Sequence, residues 1–354
     1  MVCVVLPGDV DDPTAPSGGN VYDRQLCHEL RAAGWPVREI VLPGGWPRPG
    51  PADRQALAAA LADLPDATVV LLDGLVACGV PEVVTPHAGR LRLGILVHLP
   101  LADETGLTPA VAAARDAAER ATLRAADAVI ATSGWTARRL VEHHGLDERR
   151  TLVARPGVAP APLAAGTADG GRLLCVAAVT PRKAHDVLVE ALATVADLAW
   201  ECVCVGALDR SGGQVARVRS LLTDHRLHGR VRLVGPRGGA ELARSYADAD
   251  LLILPSHAET YGMVITEALA HGLPVLATEV GGVPEALGRA ADGTRPGILV
   301  PPGDPPALGA ALRGWLTDTG QRTRLRSAAV DRRAGLSGWA STAGRIAEVL
   351  ARLR

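Results

Sequence analysis

The chain has 354 residues, 48% of them apolar, and a formal net charge of −1. That length exceeds one ordinary core and points to two domains, while the near-neutral balance gives no electrostatic basis for holding nucleic acid or an anionic membrane. No apolar run approaches the roughly 18–20 residues of a membrane-spanning helix; the opening Met1-Val-Cys-Val-Val-Leu6 lacks a basic region and cleavage site and reads as a strand. A cytoplasmic location is therefore expected, with peripheral membrane contact left open.

In chain order, Val2–Leu6 is a short apolar strand, residues 7–20 a Pro/Gly/Ser/Asp loop, and Val21–Ala33 a helix stopped by Gly34. Strands are predicted at Val37–Leu42, Thr68–Asp73, Leu93–His98, Asp127–Thr132 and Thr151–Val153. Helices fall between them at Ala52–Asp63, Pro109–Ala126 and from Ser133, a capping residue, to His143. Residues 154–171, rich in Pro, Ala and Gly, form the interdomain linker. The alternation restarts with strands at Arg172–Ala178, Trp200–Gly206, Val231–Gly235, Asp250–Leu254, Pro274–Thr278 and Gly297–Val300. The matching helices are Lys183–Val195, Val215–His225, Ala240–Asp248, Met263–His271 and Val283–Arg289. A helical tail follows Asp304, with Trp339 opening its last segment. Strands alternating with helices argue for α/β architecture with parallel, doubly wound sheets.

Cys3, Cys27, Cys78, Cys175, Cys202 and Cys204 include no C-x-x-C pair and sit mostly in strand-like runs, so they read as small buried hydrophobes. Lys183 is the only lysine, amid many arginines, and Asn20 the only asparagine. A lysine that stands alone draws attention to its loop, Thr180-Pro181-Arg182-Lys183, where a strand gives way to a helix. Two cations beside the unpaired N–H groups of a helix start suit a diphosphate.

Three further places carry chemistry. Gly18-Gly19 opens the first helix, where glycines let a phosphate or sugar approach the backbone; a turn that merely requires glycine explains them too. The spacing is not G-x-G-x-x-G and no acid ends the second strand, against an NAD enzyme. His98 ends an apolar strand, placed either to meet a sugar hydroxyl or as a structural histidine. His28, His143, His144, His225 and His228 lie in helical or exposed contexts and attract no role. Finally, Pro255–Pro274 runs from strand through polar loop to helix with two carboxylates, Glu259 and Glu267. A structural account would make Ser256-x-x-Glu259 a capping box and pair Glu267 with His271. Gly262, interrupting the helical pattern, favours a loop carboxylate that accepts from hydroxyls.

These residues resemble the retaining glycosyltransferases of group 1, family 4. The resemblance rests on the E-x7-E spacing of Glu259 and Glu267, on Glu259-Thr-Tyr-Gly262, Glu267-Ala-Leu-Ala-His-Gly-Leu-Pro274, Gly281-Gly-Val-Pro-Glu285 and Gly297-Ile-Leu-Val-Pro-Pro-Gly-Asp304. Gly18-Gly19, His98 and the lysine loop extend it over nearly the whole chain. It implies the GT-B fold: two Rossmann-like domains facing across a cleft, 1–160 on the acceptor side and 161–337 for the nucleotide sugar. The final helix, 338–354, would pack back on the first domain. It also implies transfer of a sugar from a nucleotide-diphosphate donor, a UDP- or GDP-sugar, to an acceptor hydroxyl with retention and no required cofactor. No D-x-D motif sits at a strand end, so charge neutralisation by Lys183, Arg182 and the helix terminus is expected in place of a metal.

By the same resemblance, Glu259 contacts donor-sugar hydroxyls, and Tyr261, Gly262 and Met263 offer N–H groups to sugar and diphosphate. Glu267 binds ribose, Lys183 and Arg182 meet the diphosphate, Gly18 and Gly19 approach the phosphate, Pro236 flanks the base and His98 lies near the reacting sugar. The acceptor is expected to be a small molecule. Two departures stand out: Ala177-Ala178 replaces the family's Gly-Arg ahead of the lysine, and Pro156-Gly-Val-Ala159 replaces Asn-Gly-Val-Asp. The missing arginine leaves open a nucleotide-sugar binder without turnover. A dehydrogenase and a pyridoxal-phosphate phosphorylase using Lys183 are further alternatives.

Overall fold

The computed structural model describes residues 1–12, 14 and 16–354; Pro13 and Ala15, inside the predicted first loop, lie outside the described residues. Two compact units are present. One comprises Met1–Asp12, Ser17–Gly157 and Ser337–Arg354, the other Val158–Leu336.

The first unit is built on β1 (Val2–Pro7), β2 (Val37–Leu42), β3 (Val69–Asp73), β4 (Arg92–Val97), β5 (Ala128–Ala131) and β6 (Thr151–Val153). They form one sheet in the order β2-β1-β3-β4-β5-β6, every pair parallel. The central strands are apolar throughout because helices cover both faces. The helix Trp339–Arg352 belongs to this unit. Ala343, Ile346, Val349 and Leu350, spaced along one face, are buried with Tyr22, Leu26 and Leu30 of the first helix. Thr342 Oγ1 donates to Arg155 O at 2.7 Å.

The second unit holds β7 (Arg172–Val176), β8 (Glu201–Val205), β9 (Val231–Leu233), β10 (Leu251–Leu254), β11 (Val275–Thr278) and β12 (Gly297–Val300). Its order is β12-β11-β10-β7-β8-β9, again all parallel. Read from β9, this is the doubly wound 3-2-1-4-5-6 order. The order reverses between β7 and β10 here, and between β1 and β3 in the first sheet. Loops leaving the carboxyl ends of strands at such reversals are where open parallel sheets hold ligands.

Several predicted elements shift. The first helix begins at Gly18 instead of Val21, because Ser17 caps it by accepting from Asn20 N at 3.1 Å. Lys183 does not open a helix. Pro181–Lys183 is a single 3-10 turn, and Ala184, at φ 51°, redirects the chain before the helix His185–Ala193. Short helices at Gly74–Ala77 and Pro81–Val84, too brief for a periodic signal, were not foreseen. All six cysteines are free and buried.

Candidate functional site

In the second unit Arg182, Lys183 and Glu259 converge at the strand-order reversal. The loop after β10 is held from three sides: Thr278 Oγ1 donates to Ser256 O at 2.5 Å, Gly282 N to Glu259 O at 3.0 Å, and His257 N to Arg182 O at 2.8 Å. The last of these ties it to the lysine loop after β7. Glu259 is 7% exposed and accepts from both Lys183 Nζ and Ser256 Oγ, the latter at 2.7 Å. Ser256 is therefore a partner of the carboxylate and not a helix cap. Burial pushes the Glu259 carboxyl upward, but Lys183, Arg182 and the two hydrogen bonds outweigh it and hold its pKa below the ordinary 4.5. Arg182 turns its guanidinium the same way, 3.9 Å from Glu259 Oε2 and 3.3 Å from Ala258 O.

Gly262 has φ 91°, a conformation side chains with a Cβ resist, and it lets the loop turn straight into the helix Met263–Ala270. Tyr261 is buried and Met263 half-buried at this entry. Glu267 lies in the helix, half-buried, and its partner is Tyr246, whose hydroxyl donates at 2.6 Å. The predicted pairing with His271 is absent: His271 stacks on Tyr246, centroids 5.3 Å apart, with Nδ1 on Pro162 O at 3.0 Å. Burial raises the Glu267 pKa, partly offset by that hydroxyl. Pro236 is exposed after β9, and Arg237 reaches Ser245 Oγ at 3.0 Å.

The first unit gathers a different set. Gly18 and Gly19 form the first turn of a capped helix, with neither in the left-handed region, so the loop reading does not hold for them. Gly19 packs closely on the imidazole: a Cβ there would stand 3.2 Å from His98 Cδ2. Asn20, buried, ties the preceding loop by donating to Asp9 O at 2.9 Å. His98, just past β4, contacts Asp23 Oδ1 through Nε2 at 2.9 Å, and Tyr22 lies edge-on at 5.1 Å. Asp73, ending β3, accepts from Leu75 N at 2.6 Å. Asp23 and Asp73 are 1% and 4% exposed. Burial lowers the His98 pKa but the two carboxylates raise it further, to about 9, and burial together with Asp23 lifts Asp73 to about 8.

The sequence reading passed over Asp23, Asp73, Tyr246 and Thr278, and gave Ser256 only a capping role. A signal existed for Asp73, which stops an apolar strand as His98 does. His144, set aside as unremarkable, is buried with Nε2 3.1 Å from Glu119 Oε2. Among the described residues three groups of side chains lie close enough to hold a metal ion: Asp23/Asp73/His98, Cys175/His185/Cys204 and Asp116/His143/His144, each with candidate donor atoms within 4.8 Å of one another.

Residues 170–318 match the family model described as glycosyl transferases group 1, and residues 16–161 match that of glycosyltransferase family 4. The chain belongs to the group 1 glycosyltransferases. Among curated relatives of this group 1 chain, the D-inositol 3-phosphate glycosyltransferase of Kineococcus radiotolerans is 35% identical over 263 residues, covering 68% of this chain and 60% of the relative. That of Thermobispora bispora is 34% identical over 291 residues, 77% of this chain and 65% of the relative. The matches thus span less than two thirds of these relatives. Among solved structures, the sucrose-phosphate synthase of Thermosynechococcus elongatus superposes with a TM-score of 0.81 at 24% identity over 100% of this chain and 99% of that one. Anabaena HepE in complex with UDP and glucose gives 0.76 at 19%, over 98% and 99%. At such identities they establish the fold, the two-domain GT-B type. No helix among the described residues is long and apolar enough to cross a membrane.

Proposed function

We propose that this chain is a retaining glycosyltransferase that moves a sugar from a nucleotide-diphosphate donor to a hydroxyl of a small acceptor. The observation that carries the proposal is the Lys183–Glu259–Ser256 cluster, joined by Arg182, at the β7/β10 reversal. Paired before donor arrives, the ammonium and carboxylate are already oriented, which removes reorganisation from the reacting state. In the reaction Lys183 and Arg182 would take the charge that develops on the leaving diphosphate. Glu259 would accept from sugar hydroxyls, and the N–H groups at the start of Met263–Ala270 would face the phosphates. The Glu267 carboxylate, already oriented by Tyr246, would accept from the ribose hydroxyls. Gly18 and Gly19 would approach the phosphate and His98 would lie near the reacting sugar, with Pro236 beside the base.

Ala178 alone motivated the binding-only alternative. Arg182 brings a guanidinium, a second cation beside the Lys183 ammonium, to the same carboxylate, so the catalytic reading is the one the geometry supports. UDP is the first nucleotide to try, since HepE was solved with UDP and glucose, and a phosphorylated small polyol the first acceptor, given the names of the relatives.

The test is a thermal-shift screen of UDP, GDP, ADP and TDP and their sugars, followed by transfer assays with the donor that binds. A nucleotide diphosphate at about 100 times its Kd should stabilise the fold by about 2.7 kcal/mol. Failure of every diphosphate to raise the melting temperature would overturn the donor assignment. Turnover is expected to persist in excess EDTA; a loss restored by Mg²⁺ or Mn²⁺ would replace the two cations with a metal.

A further inference from the structure

The acid pair at the first sheet's reversal is more than a support for His98. We propose that Asp73, Asp23 and His98 form one hydrogen-bonded chain in which Asp73 is a neutral carboxylic acid donating to Asp23. His98 is the cation at its end, offering Nδ1–H to an oxygen of the substrate. The inference rests on the transferase reading for the identity of that substrate, and on geometry for the rest.

Asp23 Oδ1 is occupied by His98 Nε2, but Asp23 Oδ2 is buried with no partner. A buried carboxylate oxygen left without a donor is costly, and a proton on Asp73 supplies one. Asp73 Oδ1 already accepts from Leu75 N, which leaves its other oxygen to carry the proton. Ligand atoms of all three groups lie within 4.8 Å of one another. Two carboxylates that close cannot both ionise cheaply in a buried site, whereas one negative charge shared between them balances one imidazolium.

The neighbours add no competing charge. Tyr22, edge-on to His98, is held neutral by burial and by Asp23. Burial likewise pushes Cys27, beside Asp23, up to about 12 and Cys78, beside Asp73, well above the usual thiol range. Arg24 and Arg31 of the same helix spend their guanidiniums on Glu39, and Arg24 also on Asp11. The upward shifts of Asp73 and His98, to about 8 and about 9, agree with the chain as drawn. Among the described residues nothing hydrogen-bonds to His98 Nδ1, and the side chain keeps 17% of its surface exposed. Asp23 and Asp73 are thus positioning residues; only His98 would touch substrate.

The experiment is a titration of the histidine ring resonances in labelled, ligand-free protein, with His98 assigned by loss of its signal in His98→Gln. In the native protein His98 should remain an imidazolium at pH 7. Asp73→Asn should leave it charged at pH 7, because the amide donates to Asp23 Oδ2 as the acid would and its oxygen still accepts from Leu75 N. Asp23→Asn should lower the His98 titration by about two pH units or more. A neutral His98 at pH 7 in the native protein or in Asp73→Asn overturns the proposal. Should Asp23→Asn fail to fold, the other two titrations still decide. Since they need no substrate, they stand apart from any failure of the transferase reading.

Discussion

Each sheet sets a buried carboxylate beside a cation where its strand order reverses, yet the two arrangements are balanced differently. In the second unit one acid faces two long basic side chains, so Glu259 is held ionised below its ordinary range. In the first, two acids face one imidazole, and the surplus is absorbed by lifting Asp73 to about 8 and His98 to about 9. The comparison teaches that burial pushes a carboxyl upward in both sites, and that the ratio of acids to bases decides whether that rise survives. A surplus of cations leaves positive charge for a phosphate. A surplus of acids stores a proton.

The largest break in this comparison comes from Lys183→Ala. Removing a group that stabilises charge only as it develops costs on the order of 10²–10³ in turnover. Donor affinity should change far less, and an equal loss in both, measured by steady-state kinetics and donor titration, would remove the transition-state role. Glu267→Ala comes next, since a lost hydrogen bond to a charged group is worth about 1.5–3 kcal/mol, or roughly ten- to a hundredfold in nucleotide affinity. Unchanged nucleotide binding by calorimetry would take Glu267 out of the ribose site.

Gly19→Ala separates function from stability in the first unit. Alanine in a helix is favoured by about 0.5–1 kcal/mol over glycine, so the melting temperature should hold or rise. The new Cβ, 3.2 Å from His98 Cδ2, should displace the imidazole and reduce turnover several-fold. A fall in melting temperature without a fall in turnover would make the glycine purely structural.

The smallest effect is on the pH dependence of stability, and here the two clusters act at opposite ends. Glu259, lowered when folded, stabilises above its unfolded value of 4.5, and that contribution is lost as pH falls through the lower folded value. His98, raised, stabilises fully below 6.5 and loses that contribution as pH climbs through about 9. Asp73, also raised, keeps a proton that the unfolded chain releases, so its contribution falls between 3.8 and about 8. Melting temperature should therefore decline from pH 6.5 to 9 in the native protein and less steeply in Asp73→Asn. Equal slopes would separate Asp73 from the cluster's proton balance.

Much of the fold was legible because buried parallel strands are continuous apolar runs and the helices between them end in glycine or proline signals. Lys183 and Glu259, on loops, and Glu267, seven intervening residues further on in a helix, stood out for a different reason: loop position and short-range spacing are local signals. The first-unit cluster did not. Asp23 lies inside a helix, Asp73 at the end of β3 and His98 beyond β4, separated by 50 and 25 positions in the chain. Nothing local marks them as neighbours. The same limit misdirected the partners of Ser256 and Glu267: local spacing suggested a cap and an i,i+4 pair, while the chosen partners, Glu259 and Tyr246, were fixed by how the loop and the neighbouring helix pack. By itself, then, the sequence determined the α/β alternation, the family and the acids and lysine of the second unit, because these rest on periodicity and short-range spacing. Only the tertiary structure decided which carboxylate meets which cation, and so which group holds a proton, because charge balance in a buried site depends on everything that converges there.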